Sequence, residues 1–149
     1  KEIEGLGELM AIDLGGATTD VYSMASGKPT HDNILEKGLP EPFSKRTVEG
    51  DLGMRYSLTF LADEIDLDSP DEENEISKEH IQNWVASCAN NPDTIAATAE
   101  EIHIEEFLAK NAIRIATDRH CGIMEKNYSP MGEIYSLTES GIRITGGYV

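Results

Sequence analysis

The sequence predicts an α+β fold, an antiparallel-rich sheet packed on one side by helices, on three observations. In the first third, short apolar runs are separated by Gly and Pro turns too brief for parallel crossovers. From Met54 onward, apolar residues recur at helical rather than strand spacing. At 149 residues, with 39% hydrophobic and 27% charged residues, the chain fits one globular domain, 1–149, able to bury a real core.

Taken in order, Leu9 to Ile12 is a four-residue apolar run, the pattern of a short buried strand. It ends on Asp13, and Leu14-Gly15-Gly16-Ala17-Thr18-Thr19-Asp20 follows before Val21 to Met24 resumes strand character. Gly15 and Gly16 permit φ > 0 and let backbone N–H groups approach a ligand, and successive N–H groups in such a turn form a nest for phosphate oxygens. Thr18 and Thr19 can donate to phosphate. Asp13 and Asp20 are hard oxygen ligands of the kind a phosphate-bound Mg²⁺ recruits. The pattern is therefore that of a β-turn-β phosphate clamp; its alternative is an ordinary Gly-Gly hairpin with surface hydroxyls.

Ser26 to Pro29 signals a turn, residues 30–40 a weak strand or loop, and Pro40-Glu41-Pro42 excludes helix. Ser44 to Glu49 reads as another strand, giving three or four strands, mostly antiparallel. In Glu49-Gly50-Asp51-Leu52-Gly53 two glycines bracket a carboxylate ahead of a helical pattern. Such a turn either offers N–H groups to an anion at a helix N-terminus or uses Asp51 as a plain N-cap.

Met54, Leu58, Leu61 and Ile65 form the stripe of a first helix. Residues 63–79 carry nine acids against Lys78 alone, without the glycine or spacing of a calcium loop, and read as a solvated acidic loop. Ser77 caps a second helix with Ile81, Trp84, Val85 and Cys88 on one face, stopped by Asn90-Asn91-Pro92. Trp84 is an anchor for core or interface, and His80 a surface residue. Thr98 and Glu101 make the capping box of a third helix, packed through Ile104, Leu108, Ala112 and Ile115. Acids crowd its start and bases its end, as the macrodipole favours. Beyond it, Ser129 to Gly132 is a turn, Ile134 to Leu137 a strand, and Gly141 to Val149 a strand reaching Gly146-Gly147.

The 12 Lys and Arg against 28 Asp and Glu give a net charge of −16, which argues against nucleic acid as partner. ATP is not excluded, since dipoles and a metal can meet its charge locally. No run approaches the length of a membrane span. Cys88 and Cys121 make neither a disulfide framework nor a metal spacing, as expected of two reduced thiols in a cytoplasmic protein, and His120-Cys121 lacks the second pair of a metal site. The opening on Lys1 and the end within an apolar run lead us to expect a piece of a longer protein.

Asp13 to Asp20 resembles the second phosphate motif of the actin, hexokinase and DnaK-type ATPase superfamily. Within it the chain is similar to the MutL family of glutamate mutase accessory proteins. Gly38 to Pro42 and the run Lys45 to Arg55 carry the same likeness, with a weaker helical match near Arg119 to Gly122. The resemblance implies the second lobe of an actin-like ATPase, which holds ATP and Mg²⁺ in a cleft against the other lobe of the same full-length chain. It implies that Asp13 and Asp20 serve catalysis and the metal. Nucleotide contacts would come from Gly15, Gly16, Thr18 and Thr19, from Gly50, Asp51 and Gly53, and from Gly146 and Gly147 at the adenosine. The implied function is an ATP-driven accessory factor for an adenosylcobalamin-dependent mutase, and one lobe alone would turn over negligibly. A small-molecule kinase and a non-catalytic binding module are the alternatives. Arg46, Thr47 and Glu49 are specific to the family without a derivable role.

Overall fold

A computed structural model describes residues 7–27, 34–37, 41–67, 76–130 and 132–138. Strands β1 (Leu9–Leu14), β2 (Thr19–Met24), β3 (Ile34–Lys37) and β4 (Ser44–Glu49) precede helices α1 (Leu58–Glu64), α2 (Lys78–Asn90) and α3 (Ala99–Cys121). Strands β5 (Ile123–Ser129) and β6 (Gly132–Thr138) follow. The class is α+β, as the sequence predicts. The strands form two three-stranded sheets, ordered β1-β2-β4 and β3-β6-β5, rather than one.

The β5–β6 hairpin is antiparallel, with Ile123 opposite Thr138 and Ser129 opposite Gly132. β3 instead pairs parallel to β6, Ile34 opposite Tyr135 and Lys37 opposite Thr138. Short connections constrain only neighbours in sequence, and the partner of β3 comes from far along the chain. The expected burial of Leu9 to Ile12 is also corrected. β1 lies at the end of its sheet, and Met10 and Ile12 are 44% and 36% exposed.

The described residues divide into two compact units. One takes those within 1–12, 21–47 and 117–149. It is held by the Ala25 N–H donating to the Phe43 carbonyl at 2.9 Å and the Ser26 N–H donating to the Glu8 carboxylate at 2.7 Å. Within it His120 is 3% exposed. Imidazole Nε2 lies 2.8 Å from Ser23 Oγ and Nδ1 lies 2.9 Å from Thr47 Oγ1. The His120 carbonyl accepts from Lys45 Nζ at 2.7 Å, and Lys45 also pairs with Glu41 at 2.8 Å. Burial, then the Lys45 charge, pushes the imidazole below its usual range, and Glu41 opposes them. A neutral ring, with one N–H and one lone pair, matches two hydroxyls that can each give or take a proton. Thr47 thereby acquires a role that the sequence left open.

The other unit takes residues 13–20 and 48–116. Its core holds Leu52, Leu58, Leu61, Ile81, Trp84, Val85, Cys88, Ile104, Leu108, Ala112 and Ala116. α1 begins at Leu58, later than the stripe from Met54 implies, and its N-cap is Ser57 rather than Asp51. The Ser57 hydroxyl makes no cap bond; it lies within donating distance of two carbonyls, as described below. α2 is capped as expected, Ser77 accepting from the His80 N–H at 3.3 Å, and it buries all four predicted side chains. The capping box of α3 is also present. The Thr98 N–H donates to Glu101 Oε2 at 2.9 Å, and the Glu101 N–H to Thr98 Oγ1 at 3.2 Å. Hydrogen bonds from the Ala97 and then the Thr98 N–H hold the Glu101 carboxyl below its usual range. The packing stripe passes through Ala116, while Ile115 is only half-buried. Among the described residues, no helix is long and apolar enough to cross a membrane.

Candidate functional site

The turn between β1 and β2 and the segment between β4 and α1 form one substructure. Gly15 closes the turn, its N–H donating to the Thr18 carbonyl at 2.8 Å. The Gly15 carbonyl accepts from the Met54 N–H at 3.0 Å, and the Gly16 carbonyl from the Arg55 and Tyr56 N–H groups, both at 2.8 Å. Ser57 Oγ lies 2.7 Å from the Ala17 carbonyl and 2.8 Å from that of Gly50. Three consecutive carbonyls of the turn are thus committed to residues 54–57. The N–H groups of Gly16, Ala17 and Thr18 have no acceptor among the described residues. This is the asymmetry an anion nest requires: acceptors tied back, donors available.

Neither turn glycine uses left-handed backbone, since positive φ among the described residues falls at Gly7, Gly27, Gly122 and Gly132. The premise that φ > 0 explains Gly15 and Gly16 is therefore corrected. Closeness explains Gly15, where a Cβ would stand 3.0 Å from the Thr18 carbonyl oxygen.

The remaining site residues divide by environment. Asp13 is exposed and Gly15, Gly16 and Thr18 are half-buried, while Asp20 is 8% exposed and accepts from Thr18 Oγ1 at 3.2 Å. Thr19 is fully buried, and its hydroxyl donates to the Leu52 carbonyl. The structure gives that hydroxyl a joining task, in place of the phosphate contact the pattern suggests. Gly50 contributes its carbonyl to Ser57, Asp51 is half-buried nearby in sequence, and Gly53 packs directly on the Ala17 backbone. The Gly50-Asp51-Leu52-Gly53 run therefore acts as the bed of the turn. Gly146, Gly147 and residues 68–75 of the acidic loop lie outside the described residues, while the ends of the expected loop are helical: Asp63 and Glu64 belong to α1, Lys78 and Glu79 to α2.

Sequence reasoning missed Ser57 and Arg55. Arg55 Nη2 pairs with Glu105 of α3 at 2.6 Å, and its Nη1 donates to the Met54 carbonyl at 2.7 Å. No local pattern announces Glu105 as a partner of Arg55 or Ala17 as a partner of Ser57, because both lie far along the chain. The buried His120 did leave a signal: Ile104, Leu108, Ala112, Ala116 and His120 recur at every fourth position of α3, and all are buried.

Comparison with known proteins adds the following. A family model described as "MutL protein" matches residues 1–144. The curated "Protein MutL" of Clostridium tetanomorphum is 44% identical over 139 residues, which cover 89% of this chain. Those residues span 29% of that protein's length. No solved structure matches the chain.

Proposed function

The chain belongs to the MutL protein family, and from that premise we propose that its glycine turn holds the phosphates of Mg-ATP in an ATP-driven accessory factor of an adenosylcobalamin-dependent mutase. One observation carries the reading. Residues 54–57 anchor the carbonyls of Gly15, Gly16 and Ala17, which leaves the donors of Gly16, Ala17 and Thr18 for an anion.

The residues fit the group in charge and chemistry. The three N–H groups would take phosphate oxygens, and the exposed carboxylate of Asp13 would hold Mg²⁺ or a water bound to it. Buried Asp20, which accepts from the Thr18 hydroxyl, is the second carboxylate of the clamp. Mg-ATP, when bound, supplies the free energy of phosphoryl transfer, and catalysis of that transfer rests on positioning and charge stabilisation. The actin-like lobe architecture, a second lobe across the nucleotide, and remodelling of a mutase to exchange damaged cobalamin complete the proposal. The strongly acidic surface suits docking on a basic patch of the partner.

The test uses the full-length protein. Calorimetry should show Mg-ATP binding that Asp13→Ala and Gly16→Val both abolish with helix content unchanged. A Cβ at Gly16 meets nothing closer than 3.6 Å, so the fold tolerates it while the added methyls crowd the N–H row. Normal binding by both variants sinks the assignment. Turnover stimulated by a cobalamin mutase supports the accessory role, stimulation by a small acceptor supports a kinase, and no turnover supports a binding module.

A further inference from the structure

We propose that Arg55 is a positioning residue for the glycine turn, setting it for phosphate through the ion pair with Glu105. The proposal rests on the phosphate reading above. The backbone of Arg55 is fastened to the turn: its N–H holds the Gly16 carbonyl at 2.8 Å. Its Cβ and Cγ lie 3.6 and 3.7 Å from where a Gly16 side chain would begin, so the turn cannot shift toward it without contact. The side chain runs the other way. Nη2 reaches Glu105 at 2.6 Å, and Nη1 reaches the carbonyl of Met54, whose own N–H holds Gly15. One guanidinium therefore ties both turn-holding peptides to a 23-residue helix.

The environment makes this tie effective. The Arg55 and Glu105 side chains are 24% and 26% exposed, so salt and water screen the pair less than a surface pair. The buried Cys88 of α2 lies within the field of both charges, and burial pushes its thiol up, which keeps it protonated and inert. A turn with two adjacent glycines has large conformational freedom, and a ligand that orders it loses affinity to that ordering. A brace that orders the turn beforehand removes the loss. Arg55 is spent on Glu105 and Met54, so it acts through the turn rather than on the phosphate. Lysine cannot replace the two-pronged contact with one charged point.

The experiment compares full-length wild type with Arg55→Met, Glu105→Gln, the double variant and Arg55→Lys. It reads Mg-ATP affinity by calorimetry, and amide hydrogen exchange of Gly16 to Thr18 without ligand. Each single change should weaken binding about tenfold and speed exchange at those amides. The double should be no worse than the weaker single, because the two residues act as one unit. Arg55→Lys should recover part of the affinity. Wild-type affinity in both singles, or losses that multiply in the double, would overturn the proposal. If the wild type itself binds no Mg-ATP, the phosphate reading fails. Exchange then decides the brace: faster exchange in Arg55→Met sustains it, and unchanged protection overturns it. Should Arg55→Met fail to fold, the isosteric Glu105→Gln carries the same comparison.

Discussion

Gly53 rests on the Ala17 peptide so closely that a Cβ on the glycine would stand 2.6 Å from the Ala17 Cα. The contact is backbone against backbone, with no flexible side chain to yield. It explains why the segment after β4 needs glycine, although positive φ is not found there. Gly53→Ala should therefore cost about 3 kcal/mol of stability through overpacking. It should also displace the turn and abolish the Mg-ATP binding proposed for the full-length protein. Chemical denaturation and calorimetry check both outcomes, and a stable variant with normal binding would refute the contact.

Ser57 is 7% exposed, and its hydroxyl serves the Ala17 and Gly50 carbonyls. Ser57→Ala removes the one hydrogen that the two carbonyls share, at a cost of about 1–3 kcal/mol. The shift of the urea midpoint measures it. A change within about 0.5 kcal/mol, the range of ordinary surface substitutions, would show that the hydroxyl is dispensable.

His120 sets a pH dependence with a defined sign. Unfolded, its imidazole titrates at its ordinary value of 6.5; folded, burial and Lys45 hold it lower. Between the two values the unfolded chain binds more protons, so stability falls as pH drops below about 6.5 and levels off only below the folded pKa. His120→Gln keeps side-chain hydrogen bonding to Ser23 and Thr47 but cannot titrate. Melting temperatures between about pH 7 and 5 should fall more steeply for wild type than for this variant. Equal slopes would contradict the assignment.

Trp84 is 5% exposed, and its indole nitrogen has no hydrogen-bond partner among the described residues. Trp84→Phe loses packing area but also removes a buried donor worth about 1–3 kcal/mol when unsatisfied. The net change should stay near 1 kcal/mol, against about 3–5 kcal/mol for Trp84→Ala. Thermal unfolding of the two variants separates them, and equal losses would mean that the indole N–H is satisfied.

Local features were legible in the sequence. Ser77, Thr98 and Glu101 act within one helical turn of their partners, so capping chemistry together with the apolar stripes located α2 and α3. The glycine turn was visible too, because Asp13 to Asp20 is contiguous. Its surroundings were not. Ser57 meets Ala17 and Arg55 meets Glu105 across separations that no periodicity encodes. The stripe from Met54 runs ahead of α1, which begins at Leu58, because residues 54–57 are fastened to the glycine turn. The parallel pairing of β3 with β6 depends on a partner that local turn signals cannot name.

One hydrogen on Ser57 faces two oxygens, and it can point at only one of them at a time. At any instant either the hairpin tip or the loop that cradles it is therefore a bond short. Rotation about a single C–O axis swaps which, with every heavy atom left where it is. The joint beneath the turn thus has two states of the same shape that differ only in which peptide carries the bond.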